Sequence, residues 1–561
     1  MAARYSTRRA GKVDPSFYLY QAGCNEAVVR APSVQMSATL PEHLAALMQP
    51  RAYPHPVSGV TLVETHVSWI LLTGEVAYKI KRPVCFPFLD LRSLERRAFF
   101  CNEELRLNRR FAPQLYREVC PIVRVAGEAR LDGEGEPIEY AVRMRQFPRE
   151  NELDNLLAHG RIAAQELADF GADLAAIHSA LPVAEPPAPW GDPQAIRDAI
   201  SNNFEECVQA SAVFDGASAV RILRARLDQF LQAATPWMFD RREDGRVREC
   251  HGDLHAANIV RLESKLVPFD CLEFAASFRW IDVADEIAFL LADLDARGFP
   301  RHEQAFLGGY LGHSGDYQAC RLLPLYKAHR ALIRAKVNAL RQRSAVESGA
   351  GVASADDGNL QAYRAYLDCA GRALSRKAPL LVLISGLSGS GKTWLAERLA
   401  PGLGAVHLRS DIERKRLAGL DEGARTGSAL GEGVYCEGFT ARVYAHLVTA
   451  AHDILCGGYI AVVDATFSRR EVRDAFRKLA FRLNVPACLI HCHASHEVLR
   501  SRIVERERQG RDASEADLTV LEWQQEHWEP IAAQEHWTVI AVTTADVDLA
   551  ELEQHIRSLP V

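Results

Sequence analysis

The sequence predicts a two-domain protein: a two-lobed α+β domain, then an α/β domain whose three layers, α/β/α, enclose a parallel sheet. Three observations carry this. At 561 residues the chain is longer than one hydrophobic core usually organises. Short strand-like runs with turn signals fill the stretch from Val60 to Gln146 and give way to a mainly helical region, whereas from Leu380 onward strand-like and helix-like runs alternate. Between the two regimes Lys377-Ala-Pro379 breaks the pattern. The expected domains are 41–376 and 377–561. Residues 1–40 read as a disordered leader: four basic residues precede Asp14, and no apolar core follows them as a secretory signal requires.

Composition excludes several classes. With 48% hydrophobic and 25% charged residues the chain is globular, and a formal net charge of −6 without a basic stripe argues against non-specific binding to duplex nucleic acid. The 13 cysteines are scattered with no CxxC, which fits a reducing cytoplasm. No apolar run approaches the ~20 residues of a membrane span, so no membrane partner is expected. Cys488, His491 and Cys492 fall on an apolar run that reads as a buried strand, where alternate side chains diverge, so they are not expected to form a metal site.

In the first region Val76-Ala-Tyr-Lys79 matches the V-A-x-K strand that carries the phosphate-pairing lysine of bilobal protein-kinase-like folds. Lys81 shares its strand face, so periodicity does not separate the two; position in the motif favours Lys79. The turn at Thr65-His66 is not glycine-rich, so the loop that covers phosphates in protein kinases is altered. The helix expected from Leu94 to Phe111 should supply a glutamate partner. Glu104 shares the apolar face of Phe100, Leu107 and Phe111, whereas Glu103 falls with Arg106 and Arg110, so Glu104 is the candidate. Strands follow over 119–125 and 139–146, with a hairpin signal at Asp132-Gly133. Helices are expected over 161–181 and 194–234, a flexible loop over 344–358, and a closing helix over 360–375.

The second chemical centre of this region is His251-Gly-Asp-Leu-His-Ala-Ala-Asn258, followed by Asp270 after a further strand. This is the spacing of a kinase catalytic loop: Asp253 would accept the proton of an attacking hydroxyl, and Asn258 and Asp270 would hold Mg²⁺. His251 and His255 then take structural roles. The motif resembles the aminoglycoside phosphotransferase and choline kinase family over roughly residues 55–375. That resemblance implies ATP-dependent phosphorylation of a small-molecule hydroxyl.

In the second region the apolar run ending at Ile384 precedes Gly386, Leu387, Ser388, Gly389, Ser390, Gly391, Lys392 and Thr393, and an amphipathic segment with Trp394, Leu395 and Leu399 follows. Strand, glycine-rich loop, helix is the context that the P-loop NTPase pattern GxxxxGK[ST] requires. The loop would cradle phosphates, Lys392 would reach the β/γ-phosphates, and Thr393 would offer its hydroxyl to Mg²⁺. Asp464 ends a later strand as a Walker B acid does and is a second Mg²⁺ candidate. Ser410 and Glu413 have capping-box spacing.

This half resembles P-loop kinases such as gluconate kinase, polynucleotide 5′-kinase and zeta-toxin relatives. The resemblance implies Asp411, after the second strand, as the base that activates the acceptor. It also implies Arg502 and Arg506, with Arg508 and Arg511, as a lid that neutralises the transferring phosphoryl group. Glu422, Glu432 and Glu437 would repel a polyanion, and Trp523 and Trp528 do not share a stacking face, so a small molecule is expected over a nucleic acid 5′-hydroxyl. The resulting expectation is a bifunctional ATP–Mg²⁺ phosphotransferase. Two alternatives are a ligand-sensing first half that gates a kinase, and a nucleotide-hydrolysing second half without an acceptor.

Overall fold

The computed structural model describes residues 28–30, 40–86, 89–347, 352–375, 378–427, 431–509 and 514–559. Lys377, Gly510, Arg511 and most of the expected leader lie outside them. The chain forms two compact units. The first comprises the stretch ending at Ala163 together with Ala180–Gly298 and Leu325–Leu374; the second comprises Ala164–Ser179, Phe299–Pro324 and Ser375–Val561. The single cut read at 376/377 therefore does not describe the packing, because two helical stretches from the first half of the sequence belong to the second unit. Among the described residues no helix is long and apolar enough to cross a membrane.

The first unit begins with an antiparallel sheet in the order Val28–Arg30, Thr61–Glu64, Ser68–Leu72, Val76–Lys81, Pro137–Arg145, Tyr116–Val125, Glu128–Leu131. Val28–Arg30 lies inside the stretch read as a disordered leader; it adds an edge strand, with Val29 opposite Val63. Glu128–Leu131 is a strand that the sequence pattern did not reveal, and the turn at Asp132 follows it. Val76–Lys81 lies mid-sheet, and all six of its residues are buried. The helix Leu94–Asn108 is capped by Ser93, whose hydroxyl accepts from the Arg96 amide, and its contacts with Pro137–Arg145 hold it on the sheet.

The second lobe is helical. The helix expected over 194–234 is broken into Pro193–Ala210, Ala217–Arg221 and Arg224–Glu243. The loop expected over 344–358 is largely helix: Leu323–Glu347 runs into it and Val352–Ala373 starts within it.

In the second unit five parallel strands take the order Ala405–Arg409, Ile460–Asp464, Leu381–Ser385, Ala487–His493, Thr538–Thr543. The central strand, Leu381–Ser385, is wholly buried, as expected for a parallel strand covered on both faces. Leu395 and Leu399 of the helix Lys392–Leu403 are fully buried against it, worth ~1.5–3 kcal/mol each. Trp394 does not join them and is 39% exposed.

The edge strand Ala405–Arg409 is covered by the helix Pro300–Ser314, whose Gln304 donates to the Ala405 carbonyl at 2.6 Å. That helix packs tightly on Ala164–Ala180, where a Cβ at Gly309 would sit 2.0 Å from the Ala168 carbonyl oxygen. The following turn, Tyr317–Arg321, lies on the helix Glu437–Cys456, with Arg321 paired to Asp453.

Candidate active sites

In the first unit a tight hairpin explains the spacing of the catalytic loop. Ile259–Leu262 pairs with Lys265–Pro268, Ile259 opposite Pro268, so the Phe269 amide bonds the Asn258 carbonyl at 2.9 Å and Asp270 comes beside Asn258. Asn258 Nδ2 donates to Asp253 Oδ2 at 2.9 Å and to the Asp253 carbonyl at 3.0 Å. Asp253 Oδ1 is buried and has no hydrogen-bond partner. Gly252 has φ +87°, and a Cβ there would lie 2.8 Å from the Phe278 carbonyl oxygen, so this position accepts only glycine without strain.

Buried groups brace the loop. Glu286 accepts from the amides of His251 (2.8 Å) and Gly252 (3.0 Å), and burial pushes its carboxyl up to about 7. His251 bonds the Phe269 carbonyl through Nε2 at 2.8 Å and receives the Asp253 amide on Nδ1 at 3.3 Å. Burial pushes its imidazole down to about 4, so it is neutral, and both of its ring nitrogens are taken up by the backbone of the loop it braces.

Both strand lysines meet Glu104. Lys79 Nζ is 2.8 Å from Oε1 and Lys81 Nζ is 2.5 Å from Oε2, with Glu104 wholly buried. Glu103 instead pairs with Arg106 and Arg279. The other partners separate the lysines: Lys79 pairs with Asp270, whereas Lys81 turns to Glu273 at 2.5 Å. Burial would lower the Lys79 ammonium, but Asp270 and Glu104 more than offset this and hold it well above the usual lysine value. Glu273 was not legible as a site residue, and its one signal is a lone charge within Cys271-Leu-Glu-Phe274. Glu104→Ala leaves two buried ammonium groups short of a counter-charge. It is expected to cost the first unit about 3–5 kcal/mol in urea unfolding. A loss below about 1 kcal/mol would show that the network carries little stability.

In the second unit strand register assembles the site. Ile384 is opposite Asp464 and Asp464 is opposite Arg409, so the phosphate loop, Asp464 and the segment starting at Ser410 emerge at one end of the sheet. Gly386 has φ +147°, and a Cβ there would lie 2.3 Å from the Cys492 carbonyl oxygen. Thr393 Oγ1 donates to Asp464 Oδ2 at 2.6 Å. Lys392 Nζ donates to the Leu387 carbonyl at 3.0 Å; burial lowers its ammonium, with Asp464 and Asp411 opposing. Ser388 N donates to Gln524 Oε1 at 2.8 Å, a support the sequence did not reveal. Ser390 Oγ is buried without a partner. Arg502 Nη1 reaches the Gly389 carbonyl at 3.3 Å and Thr544 Oγ1 at 3.1 Å, and Arg506 bonds the Ala516 carbonyl.

A cavity of ≈ 930 Å³ joins these groups: Lys392, Thr393, Asp411, Asp464, Arg502 and Arg506 all line it. The capping box read at Ser410 and Glu413 does not form. Arg409 is the residue before the helix Ser410–Leu417, and no side chain caps it. Glu413 is buried, receives the Tyr317 hydroxyl at 2.8 Å, and lies 2.9 Å from His446 Nε2. Cys488 and Cys492 point into the core while His491 lies against Trp528, with ring centroids 5.4 Å apart. Trp523 stacks on His527, away from that pair, and lines the cavity.

Residues 92–323 match the family described as phosphotransferase enzyme family, and residues 381–531 match the AAA domain family. The chain thus joins a stretch similar to the phosphotransferase enzyme family to one similar to the AAA domain family, the latter carrying the glycine-rich phosphate loop. The match over residues 92–323 supports a phosphotransferase, and the two families imply use of a nucleotide and typically of Mg²⁺. An uncharacterised protein of Mycobacterium tuberculosis is 29% identical over 480 residues, 85% of this chain and 92% of that protein, and a Mycobacterium bovis protein matches equally. Among solved structures, a gluconokinase from Sinorhizobium meliloti 1021 is similar at 21% identity, covering 32% of this chain and 91% of that one, with TM-score 0.23. Mycobacterium tuberculosis APS kinase in complex with AMPPNP and APS is similar at 18% identity, 32% and 96% coverage, and TM-score 0.23.

The residues present suit a hard cation. In the phosphotransferase-family domain Asn258 and Asp270 offer oxygen donors beside Asp253; in the P-loop domain Thr393 Oγ1 already meets Asp464.

Proposed function

We propose that the protein is a bifunctional kinase in which each half transfers the γ-phosphate of ATP to a hydroxyl of a small-molecule acceptor. The observation that carries this reading is Asp253: one carboxylate oxygen is fixed by Asn258 and the other is buried without a partner. A buried acceptor-only oxygen costs free energy unless something donates to it, and an attacking hydroxyl is such a donor. In the first domain Asp253 takes the hydroxyl proton, and Lys79, held by Glu104, orients the phosphates. Asn258 and Asp270 would hold Mg²⁺, which neutralises phosphate charge when bound.

In the second domain Lys392 and the loop amides orient the phosphates, with Thr393 and Asp464 as the Mg²⁺ residues. Asp411 takes the acceptor proton, and Arg502 and Arg506 stabilise negative charge on the transferring group. All of these except the loop amides line one cavity, which supports transfer over hydrolysis alone. Titration calorimetry of the full chain with a non-hydrolysable ATP analogue and Mg²⁺ should give two nucleotides per chain, falling to one in Lys392→Ala. A single nucleotide in the wild type would sink the bifunctional reading.

A further inference from the structure

Resting on the reading of the P-loop domain as a kinase, the cavity wall beyond Asp411 says more about the acceptor. The helix Glu437–Cys456 turns Tyr444 and Val448 toward the cavity, and the helix Arg470–Leu483 turns Val472 and Phe476 toward it. Trp394 lines the same space and is 39% exposed, although it directly follows the Thr393 of the phosphate loop. Tyr435 completes the wall, with the Arg414 guanidinium 4.9 Å from its ring centroid. Ala441 and Ala445 of the first helix also line the cavity and are exposed. Trp394, Tyr444, Val448 and Val472 therefore give part of this wall an apolar surface that is at least partly exposed, with Phe476 buried behind it.

Glu437, Thr440, Ser468, Arg469 and Glu471 also line the cavity on this side, and four of the polar groups here are paired among themselves, Arg414 with Thr440 and Arg469 with Glu437. Asp411 and Arg414 lie one helical turn apart, and Arg414 already donates to the Val434 carbonyl and to Thr440 Oγ1. Arg469 is engaged by Glu437 at 2.7 Å. A polyol seated against Trp394, Val448 and Val472 would strip water from hydroxyls that ring and aliphatic carbons cannot satisfy. A molecule with one reactive hydroxyl on an apolar body would lose nothing comparable, and its body would gain from leaving water.

We propose that the acceptor of the P-loop domain is an alcohol whose hydroxyl is borne on an apolar, ring-sized body, seated against Trp394, Tyr444, Val448 and Val472, rather than a polyol. The step balances as an ordinary phosphoryl transfer: the acceptor oxygen forms a bond to the γ-phosphorus, the bond to the β–γ bridging oxygen breaks, ADP leaves, and the hydroxyl proton goes to Asp411.

The test uses the full chain with labelled γ-phosphate ATP and two acceptor sets: 2-phenylethanol, tryptophol and hexan-1-ol against glycerol, glucose and gluconate. Transfer abolished by Lys392→Ala is assigned to this domain. The expected result is kcat/KM at least about tenfold higher for the apolar set, the order of discrimination that apolar contacts give. In Ala445→Asp, an exposed position that should not disturb folding, this preference should fall at least about tenfold while the analogue binds as in wild type. Val472→Thr, nearly equal in shape, should give a smaller loss in the same direction. Polyols phosphorylated as well or better would overturn the inference and leave the kinase reading standing. Nucleotide binding with transfer to no acceptor in either set would overturn both.

Discussion

Asp253→Asn is expected to lower phosphoryl transfer at the first site by ~10²–10⁴-fold, the loss typical of a positioned base, with nucleotide affinity unchanged. Asparagine keeps the size of the side chain and one oxygen to accept from Asn258, so the loop held by Glu286 and His251 should stay in place. What is lost is the oxygen that takes a proton. The measurement is acceptor-dependent ADP release across a hydroxyl-compound panel in a Lys392→Ala background, which silences the second site. Unchanged turnover would remove Asp253 from the role of base. Asp270→Ala should behave differently: it releases Lys79 from one of its two acidic partners and should weaken Mg²⁺-dependent nucleotide binding itself.

At the second site Lys392→Ala should abolish measurable transfer, a fall of at least ~10²–10³-fold, because the charge meant for the transferring phosphate is gone. Lys392 donates to a loop carbonyl, and burial disfavours its ammonium more than Asp464 and Asp411 favour it, so its removal should cost little stability. An unchanged melting profile together with lost transfer is the expected pair of results. Retained transfer would place the phosphate-directed cation elsewhere, with Arg502, bonded to the Gly389 carbonyl, the first alternative.

The parts of both sites that the sequence disclosed are those built by short-range geometry. Asp253, Asn258 and Asp270 are joined by a single hairpin, and Lys392 and Thr393 follow directly from strand, loop and helix. The choice of Glu104 over Glu103 followed from helical spacing, because a carboxylate on the apolar face needs a buried cation, and it meets two. Periodicity failed where partners lie far apart in the chain. Lys79 and Lys81 share a face, and only Asp270 and Glu273, some 190 residues away by sequence, tell them apart. Glu413 had the spacing of a capping residue, but Tyr317, 96 residues earlier, claims its carboxylate. Trp394 had the right chemistry for the core and the wrong position on its helix, one residue before the buried Leu395.

The helix Pro300–Ser314 and the turn Tyr317–Arg321 also set a timetable. They leave the ribosome well before the strand Ala405–Arg409 that Gln304 bonds, and before Glu413 and Asp453, the partners of Tyr317 and Arg321. At typical synthesis rates the delay to Asp453 is on the order of ten seconds, during which these surfaces have only a growing chain to meet. The parallel sheet, itself dependent on distant pairings, can close its edge only after that interval. A nascent chain stalled before residue 405 is thus the species that a chaperone would be expected to hold.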